Sequence, residues 1–212
     1  MAGADATSRR SPRSYARLTD EHLRRLAAVA EKDHAFFTRP DGRPEYKSRR
    51  LAAALAQGAA LHYLDGRTGV KDLDVWTFYA AIPGRRFPAD KLVRPVDFGP
   101  SSLGRGTYDI NAAHSERQRV VRRRFSAYTG RKVDLCKRAL PVQADAPITS
   151  VISVLQEWLA RGAKSAAAHP PSACHLAKKA VVLLYPDSHR GYVVWALGSA
   201  SEEPGERYRS RH

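Results

Sequence analysis

The sequence is poor in cysteine and in long apolar runs. Only Cys136 and Cys174 occur in 212 residues, too few for a disulfide framework, and neither stands in a CxxC or similar zinc-ligand grouping. No segment approaches the ~18 apolar residues that span a bilayer. The N-terminal MAGADATSRRSPRS lacks the apolar core of a secretory signal. These absences favour a protein of the reduced cytoplasm that makes no membrane contact.

Acidic residues are scarce relative to basic ones, with 21 Asp and Glu against 36 Lys and Arg and a net charge of +15. The excess is concentrated in residues 101–140, which hold ten basic and three acidic side chains, whereas residues 51–100 hold six and five. Such a balance favours a polyanionic partner, such as nucleic acid, nucleotide phosphates or an acidic surface.

Strand and helix signals alternate along the chain and no internal repeat is present, which predicts one α/β domain. We place it at residues 18–198, with a motif core at 50–140. The polar, unpatterned ends, residues 1–17 and 199–212, read as disordered tails.

Apolar spacing and turn residues predict the elements within this domain. Helices are expected at 19–38, 115–128 and 149–161, and strands at 71–80, 132–140, 179–186 and 191–197. The alanine-rich run 51–58 is ambiguous, because alanine favours helix but Gly58 ends the run abruptly. Residues 83–112 are rich in proline and glycine and are expected to form a long loop over a site.

The predicted strand at 71–80 carries two carboxylates, Asp72 and Asp74, among apolar residues. Successive side chains of a strand point to opposite faces, so this pair shares a face. Carboxylates about 7 Å apart repel one another unless a cation lies between them, and a divalent cation such as Mg²⁺ prefers these hard oxygen ligands.

Two further residues extend this pair into a set. Gly58 stands where a turn after a strand would open a helix whose N-terminal amides face a phosphate. Asp134 is a single acid in a second predicted strand, KVDLC. Three strand-borne acids and a glycine turn are suited to metal-assisted phosphoryl or nucleotidyl transfer, in which two ions stabilise the attacking and leaving oxygens.

The motif resembles that of the nucleotidyltransferase superfamily, which includes DNA polymerase beta and the minimal nucleotidyltransferases. The family pattern is an apolar residue, Gly, then Gly or Ser, nine to thirteen residues, Asp-x-Asp, and a third acid on a later strand. Here Gly58 and Ala59 are followed by twelve residues, then Asp72-Leu73-Asp74, and later Asp134. Ala59 departs from the pattern, because it lacks the serine hydroxyl that would be one phosphate ligand.

The resemblance implies a mixed-sheet α/β nucleotidyltransferase-like domain with flanking helices. It implies that Asp72 and Asp74 hold Mg²⁺ on a nucleoside triphosphate such as ATP. Asp134 would complete a second metal site and help to deprotonate an acceptor hydroxyl on RNA, protein or a small molecule. Gly58 and the Ala59 amide would approach the β- and γ-phosphates.

Other interpretations stay open. Asp72 and Asp74 could lie on the solvated face of an edge strand, and Asp134 could simply pair with Lys132 or Arg131. The set could also serve a metal-dependent nuclease, or a catalytically weak or inactive module that binds RNA or a partner protein. In that module an arginine-rich helix would make the contacts, although such a run is more often a solvated face. Its arginines are Arg119, Arg122, Arg123 and Arg124.

Overall fold

The structure is a computed structural model that describes residues 13–88, 94–108, 113, 115–164 and 172–197. Most of both predicted tails lies outside these ranges. Within the predicted N-terminal tail, Ser14 exchanges backbone hydrogen bonds of 2.9 and 2.8 Å with Val70. Within the described part, every helix is too short or too polar to cross a membrane.

A six-stranded mixed sheet forms the centre of the molecule, in the order β3-β4-β2-β1-β5-β6. Strands β2 and β4 run parallel, and every other neighbouring pair is antiparallel. This sheet and its flanking helices confirm the predicted fold class. The strands are β1 (Arg50–Ala56), β2 (Leu73–Ala80), β3 (Arg94–Asp97), β4 (Lys132–Leu140), β5 (Ala180–Tyr185) and β6 (Val193–Ala196).

The ambiguous alanine run is strand β1, at the centre of the sheet. Alanine favours helix in isolation, but pairing on both sides and burial on both faces outweigh that preference. Ala52, Ala53 and Ala54 are all fully buried, and their small side chains let helices approach the sheet closely.

Helices cover both faces of the sheet and produce two apolar cores. One core joins helices α1 and α2 to Leu73, Val75 and Val133. The other joins α4 and α5 to Phe78, Leu140 and the outer strands. The helices are α1 (Asp20–Phe37), α2 (Gln57–Asp65), α3 (Glu116–Ser126), α4 (Ile148–Ala163) and α5 (Ser172–Ala177).

Two of these elements correct the sequence prediction. The segment 83–112 was expected to be loop throughout, but β3 lies within it and adds an edge strand beside β4. Pro95 is compatible with that position, because an edge strand leaves one row of backbone groups unpaired. The short helix α5 was not predicted, since six residues give no usable period.

Buried charges attach α1 to the β3–β4 side of the sheet. Asp33 of α1 is 1% exposed and forms ion pairs with Arg94, at 3.0 Å, and with Lys137. Next to it, His34 and the Tyr79 hydroxyl are joined by a hydrogen bond of 3.1 Å. These contacts compensate for placing a carboxylate in the interior.

The start of β4 is fixed by Asp97, the last residue of β3. Its carboxylate accepts hydrogen bonds from the backbone amides of Gly99, Thr129 and Gly130 and from the Thr129 hydroxyl, at 2.7–2.9 Å. A Cβ at Gly130 would overlap the Gly99 carbonyl, so this close approach requires glycine. The turn therefore determines where Lys132 and Asp134 begin their strand.

Candidate functional site

The sheet brings the predicted carboxylates to one place. Asp74 of β2 and Asp134 of β4 are register partners on neighbouring parallel strands, which lie about 4.8 Å apart. Asp72 immediately precedes β2 and shares the face of Asp74 by alternation. This is the face covered by α4 and α5, at the end of the sheet where β2 and β4 begin. The fourth predicted residue, Gly58, follows β1, whose last residue, Ala56, is the partner of Asp74.

Asp74 shows how strongly these carboxylates interact. Burial raises its pKa, and the charges of Asp72 and Asp134 raise it further, to about 7, against the opposing effect of Lys132 and Lys179. Burial, Asp74 and Asp134 likewise raise the pKa of the Cys136 thiol to about 12, so this cysteine stays protonated at neutral pH. Burial and the neighbouring carboxylates thus both disfavour the ionised forms of Asp74 and Cys136.

Lys132 lies inside the cluster. Its Nζ donates a hydrogen bond to Asp134 Oδ2 at 2.5 Å and lies 3.5 Å from Asp72 Oδ2. Burial lowers the pKa of Lys132, but the bond to Asp134 and the two carboxylate charges outweigh burial, and the net pKa is raised. The interpretation in which Asp134 pairs with Lys132 thus describes a real contact. Because residues two apart share a strand face, the sequence did contain this signal.

The turn between β1 and α2 lies beside the cluster, because it directly follows Ala56, the register partner of Asp74. Gln57 has a φ of 58°, a left-handed conformation that is uncommon for residues other than glycine. The N-cap Ala56 gives no side-chain hydrogen bond to the helix amides. Ala59 is buried in the core, so only its backbone amide is suited to a phosphate, and a hydroxyl at this position would be buried too.

Lys179, which the sequence gave no reason to select, lies beside this turn. Its Nζ is 3.4 Å from the position that a Cβ would take at Gly58, and its charge acts on Asp74. It precedes β5, which pairs with β1, so the sheet order places it here across more than 100 residues of sequence. An ammonium group therefore lies beside the glycine turn and near enough to Asp74 for its charge to act on that carboxylate.

The arginine-rich helix α3 lies next to the cluster through a single buried residue. Phe125 packs against Tyr108 and Tyr128, and its ring centroid is 5.4 Å from Lys132 Nζ.

The arginines of α3 differ in exposure: Arg119, Arg123 and Arg124 are exposed and Arg122 is half-buried. Arg119 pairs with Glu116 at 3.4 Å. Ser115 caps the helix by accepting a hydrogen bond from the Gln118 amide.

Two aromatic side chains near the carboxylates carry buried polar atoms. Tyr108 Oη and Trp76 Nε1 have no hydrogen-bond partner among the described residues. Burial raises the pKa of Tyr108, which the charges of Lys132, Asp72 and Asp134 also influence. Trp76 follows Asp74 by two residues, so it shares the face of the cluster, and it stacks on Phe78. Both are donors available to a ligand that enters the site.

The side chains of the cluster offer a divalent cation mainly carboxylate oxygens. Within the described ranges, no group of three or more His, Cys, Asp or Glu residues stands ready to hold a metal ion. Lys132 contacts two of the three carboxylates instead. However, Asp72 and Asp74 supply hard carboxylate oxygens of the kind that a divalent cation prefers. The residues fit one divalent ion held by that pair together with ligand oxygens.

Fold and site define an α/β protein whose mixed sheet carries a half-buried carboxylate cluster where its inner strands β2 and β4 begin, next to a strained strand–helix turn. Comparison with known proteins adds no family to this description. No family model, no curated protein and no solved structure matches the chain.

Proposed function

We propose that the chain is a nucleotidyltransferase-like enzyme that uses Mg²⁺ to transfer a nucleoside monophosphate from a nucleoside triphosphate to a hydroxyl acceptor. The observation that carries the proposal is the pairing of Asp74 with Asp134 on adjacent parallel strands, with Asp72 on the same face. Gly58 and Lys179 lie at the neighbouring strand end, where a triphosphate would meet backbone amides and an ammonium group.

We assign each side chain of the site one role in the reaction. Asp72 and Asp74 would hold Mg²⁺, which supplies positive charge to the attacking and leaving oxygens when bound. Asp134 Oδ2 is held by Lys132, and we assign Oδ1 to the acceptor hydroxyl. The hydroxyl oxygen bonds to the α-phosphorus and its proton passes to Asp134. The bond from the α-phosphorus to the bridging oxygen breaks, and pyrophosphate leaves beside Gly58 and Lys179.

A direct assay uses each α-labelled nucleoside triphosphate with Mg²⁺ and a panel of RNA, protein and small-molecule hydroxyl acceptors. We expect Asp72→Asn, Asp74→Asn and Asp134→Asn each to reduce label transfer by at least about 100-fold, which corresponds to about 2.7 kcal/mol of transition-state stabilisation. Asp145→Asn is the matched control, since it removes an exposed acid outside the site and should leave transfer unchanged.

A measurement of thermal stability distinguishes a variant that has lost its active site from one that has lost its fold. Asp74 is repelled by Asp72 and Asp134 in the free protein, so Asp74→Asn should unfold at an equal or higher temperature than wild type while losing transfer. The proposal is wrong if wild type transfers no label, or if the three site variants transfer as much as Asp145→Asn.

A second candidate is a non-catalytic module that binds RNA through α3. The observation in its favour is that Arg119, Arg123 and Arg124 are exposed on a helix whose Phe125 lies next to Lys132 of the cluster. Label transfer by the wild type would favour the enzyme. RNA binding that persists in Asp74→Asn, without transfer by the wild type, would favour the module.

A further inference from the structure

Lys132 lies where a metal ion would otherwise bridge carboxylates. Its Nζ is 2.5 Å from Asp134 Oδ2 and 3.5 Å from Asp72 Oδ2. The three side chains are 15%, 19% and 25% exposed, so most of this contact is shielded from water. An ion pair shielded in this way is screened little by salt and is costly to break by removing one partner.

Other groups keep the ammonium in place. Lys132 and Asp134 are two residues apart on the same strand, so their side chains leave the sheet on the same face. The Phe125 ring lies 5.4 Å from Nζ, within the range of a cation–π interaction. The Asp97 turn fixes the backbone directly before Lys132. The backbone turn, the Phe125 ring of α3 and both carboxylates therefore hold the Lys132 side chain in place.

The charges of the cluster also favour a single ion. Asp72, Asp74 and Asp134 bring three carboxylate charges, and the ammonium groups of Lys132 and Lys179 already oppose two of them, so one divalent cation is enough to compensate for the remainder. A second divalent ion on Asp134 would have to displace Lys132 from its shortest contact, or lie beside a positive charge at close range. Coulomb repulsion over a few ångströms is strong in a site shielded from water.

We propose that Lys132 takes the place of a second metal ion, so that the site holds one divalent cation on Asp72 and Asp74. The ammonium stays on Asp134 and orients that carboxylate toward the acceptor. This inference rests on the proposed function and differs from the two-ion arrangement that the family resemblance implies. Lys132 acts here as a positioning residue, through Asp134.

The experiment counts bound ions. Mn²⁺ binding is measured by electron paramagnetic resonance, with and without a non-hydrolysable nucleoside triphosphate analogue. We expect one ion per chain for wild type and for Lys132→Arg, which keeps the charge. We expect two ions per chain for Lys132→Met with the analogue, because Asp134 is then freed. Lys178→Met, which removes an exposed positive charge that has no role in the proposed site, is the matched control and should keep the count at one.

The outcomes separate this inference from the proposed function. Two ions bound by wild type, with label transfer intact, overturn the inference and leave the proposed function in place. A count of one in a folded Lys132→Met variant also overturns the inference, as does a count of two in Lys178→Met. If wild type binds no Mn²⁺ and transfers no label, both are wrong.

Discussion

Single residues in this protein show how opposite environments act on chemically identical groups. Asp74 is half-buried among other carboxylates, and desolvation together with their charges raises its pKa to about 7. For Asp97, burial also acts to raise the pKa, but the hydrogen bonds from Gly99, Thr129 and Gly130 outweigh burial, and the net pKa is lowered. The first arrangement costs stability while Asp74 is ionised, whereas the second stabilises a turn.

The Asp97 turn gives a prediction about stability and pH. Asp97→Asn replaces a carboxylate that accepts several hydrogen bonds, so we expect a loss of about 1.5 kcal/mol in the free energy of unfolding at pH 7. Because the folded pKa of Asp97 lies below the unfolded value, the carboxylate stabilises the fold above that value. The contribution is lost as the pH falls through about 4 and then through the folded pKa.

Urea denaturation of both proteins from pH 7 to pH 3 measures this difference. Asp41→Asn, which changes an exposed loop carboxylate, is the control and should alter stability by less than about 0.5 kcal/mol. A wild-type advantage that persists unchanged at pH 3, or an equal loss in the control, would contradict the assignment.

At the scale of elements, the turn from β1 into α2 combines strain with open backbone amides. Gln57 is left-handed at a φ of 58°, a conformation that costs an L-residue about 1–2 kcal/mol. Its neighbours Ala56 and Gly58 offer no side-chain cap to the helix. Strain of this kind is concentrated at functional sites, and this turn lies beside the carboxylate cluster.

Substitution of Gln57 measures that strain. Gln57→Gly should unfold with a free energy about 1 kcal/mol higher than Gln57→Ala, because glycine adopts the left-handed region without the steric penalty that remains in alanine. Both variants lose the same polar side chain, so each controls for the other. Equal stability in urea denaturation, or a more stable alanine variant, would show that the backbone at Gln57 is unstrained.

For the whole molecule, we expect the net charge of +15 and the exposed arginines of α3 to attract polyanions. If the site faces phosphates as proposed, these arginines would contact an RNA backbone and release its counterions. We therefore expect the affinity for single-stranded RNA to fall steeply with KCl concentration. A variant with four arginines of α3 changed to Gln should lose about 2–3 units of the log–log slope; these are Arg119, Arg122, Arg123 and Arg124.

The matched control changes four arginines on other elements to Gln, which alters the net charge equally. They are Arg24, Arg67, Arg85 and Arg161, all exposed. Fluorescence anisotropy at several KCl concentrations gives both slopes. If the control lowers the slope as much as the α3 variant does, RNA responds to net charge alone and α3 is an ordinary solvated face.

The sequence alone predicted the elements whose apolar spacing is regular. Helix α1, helix α4 and the hairpin of β5 and β6 follow from local periodicity, and so does strand β4. The shared face of Asp72 and Asp74 was equally accessible, because alternation along a strand is a local property. Their possible use in catalysis stays a prediction, which the assays above test.

Tertiary structure decided what local patterns could not. Burial on both faces made a strand of the alanine run in β1, and pairing with β4 made a strand of Arg94–Asp97 in a proline-rich segment. The order of the strands brought Lys179 to Gly58. The sequence already showed that Lys132 and Asp134 share a strand face. Only the tertiary structure showed that the Lys132 ammonium contacts both Asp72 and Asp134. Such contacts depend on long-range pairing, which a local pattern does not encode.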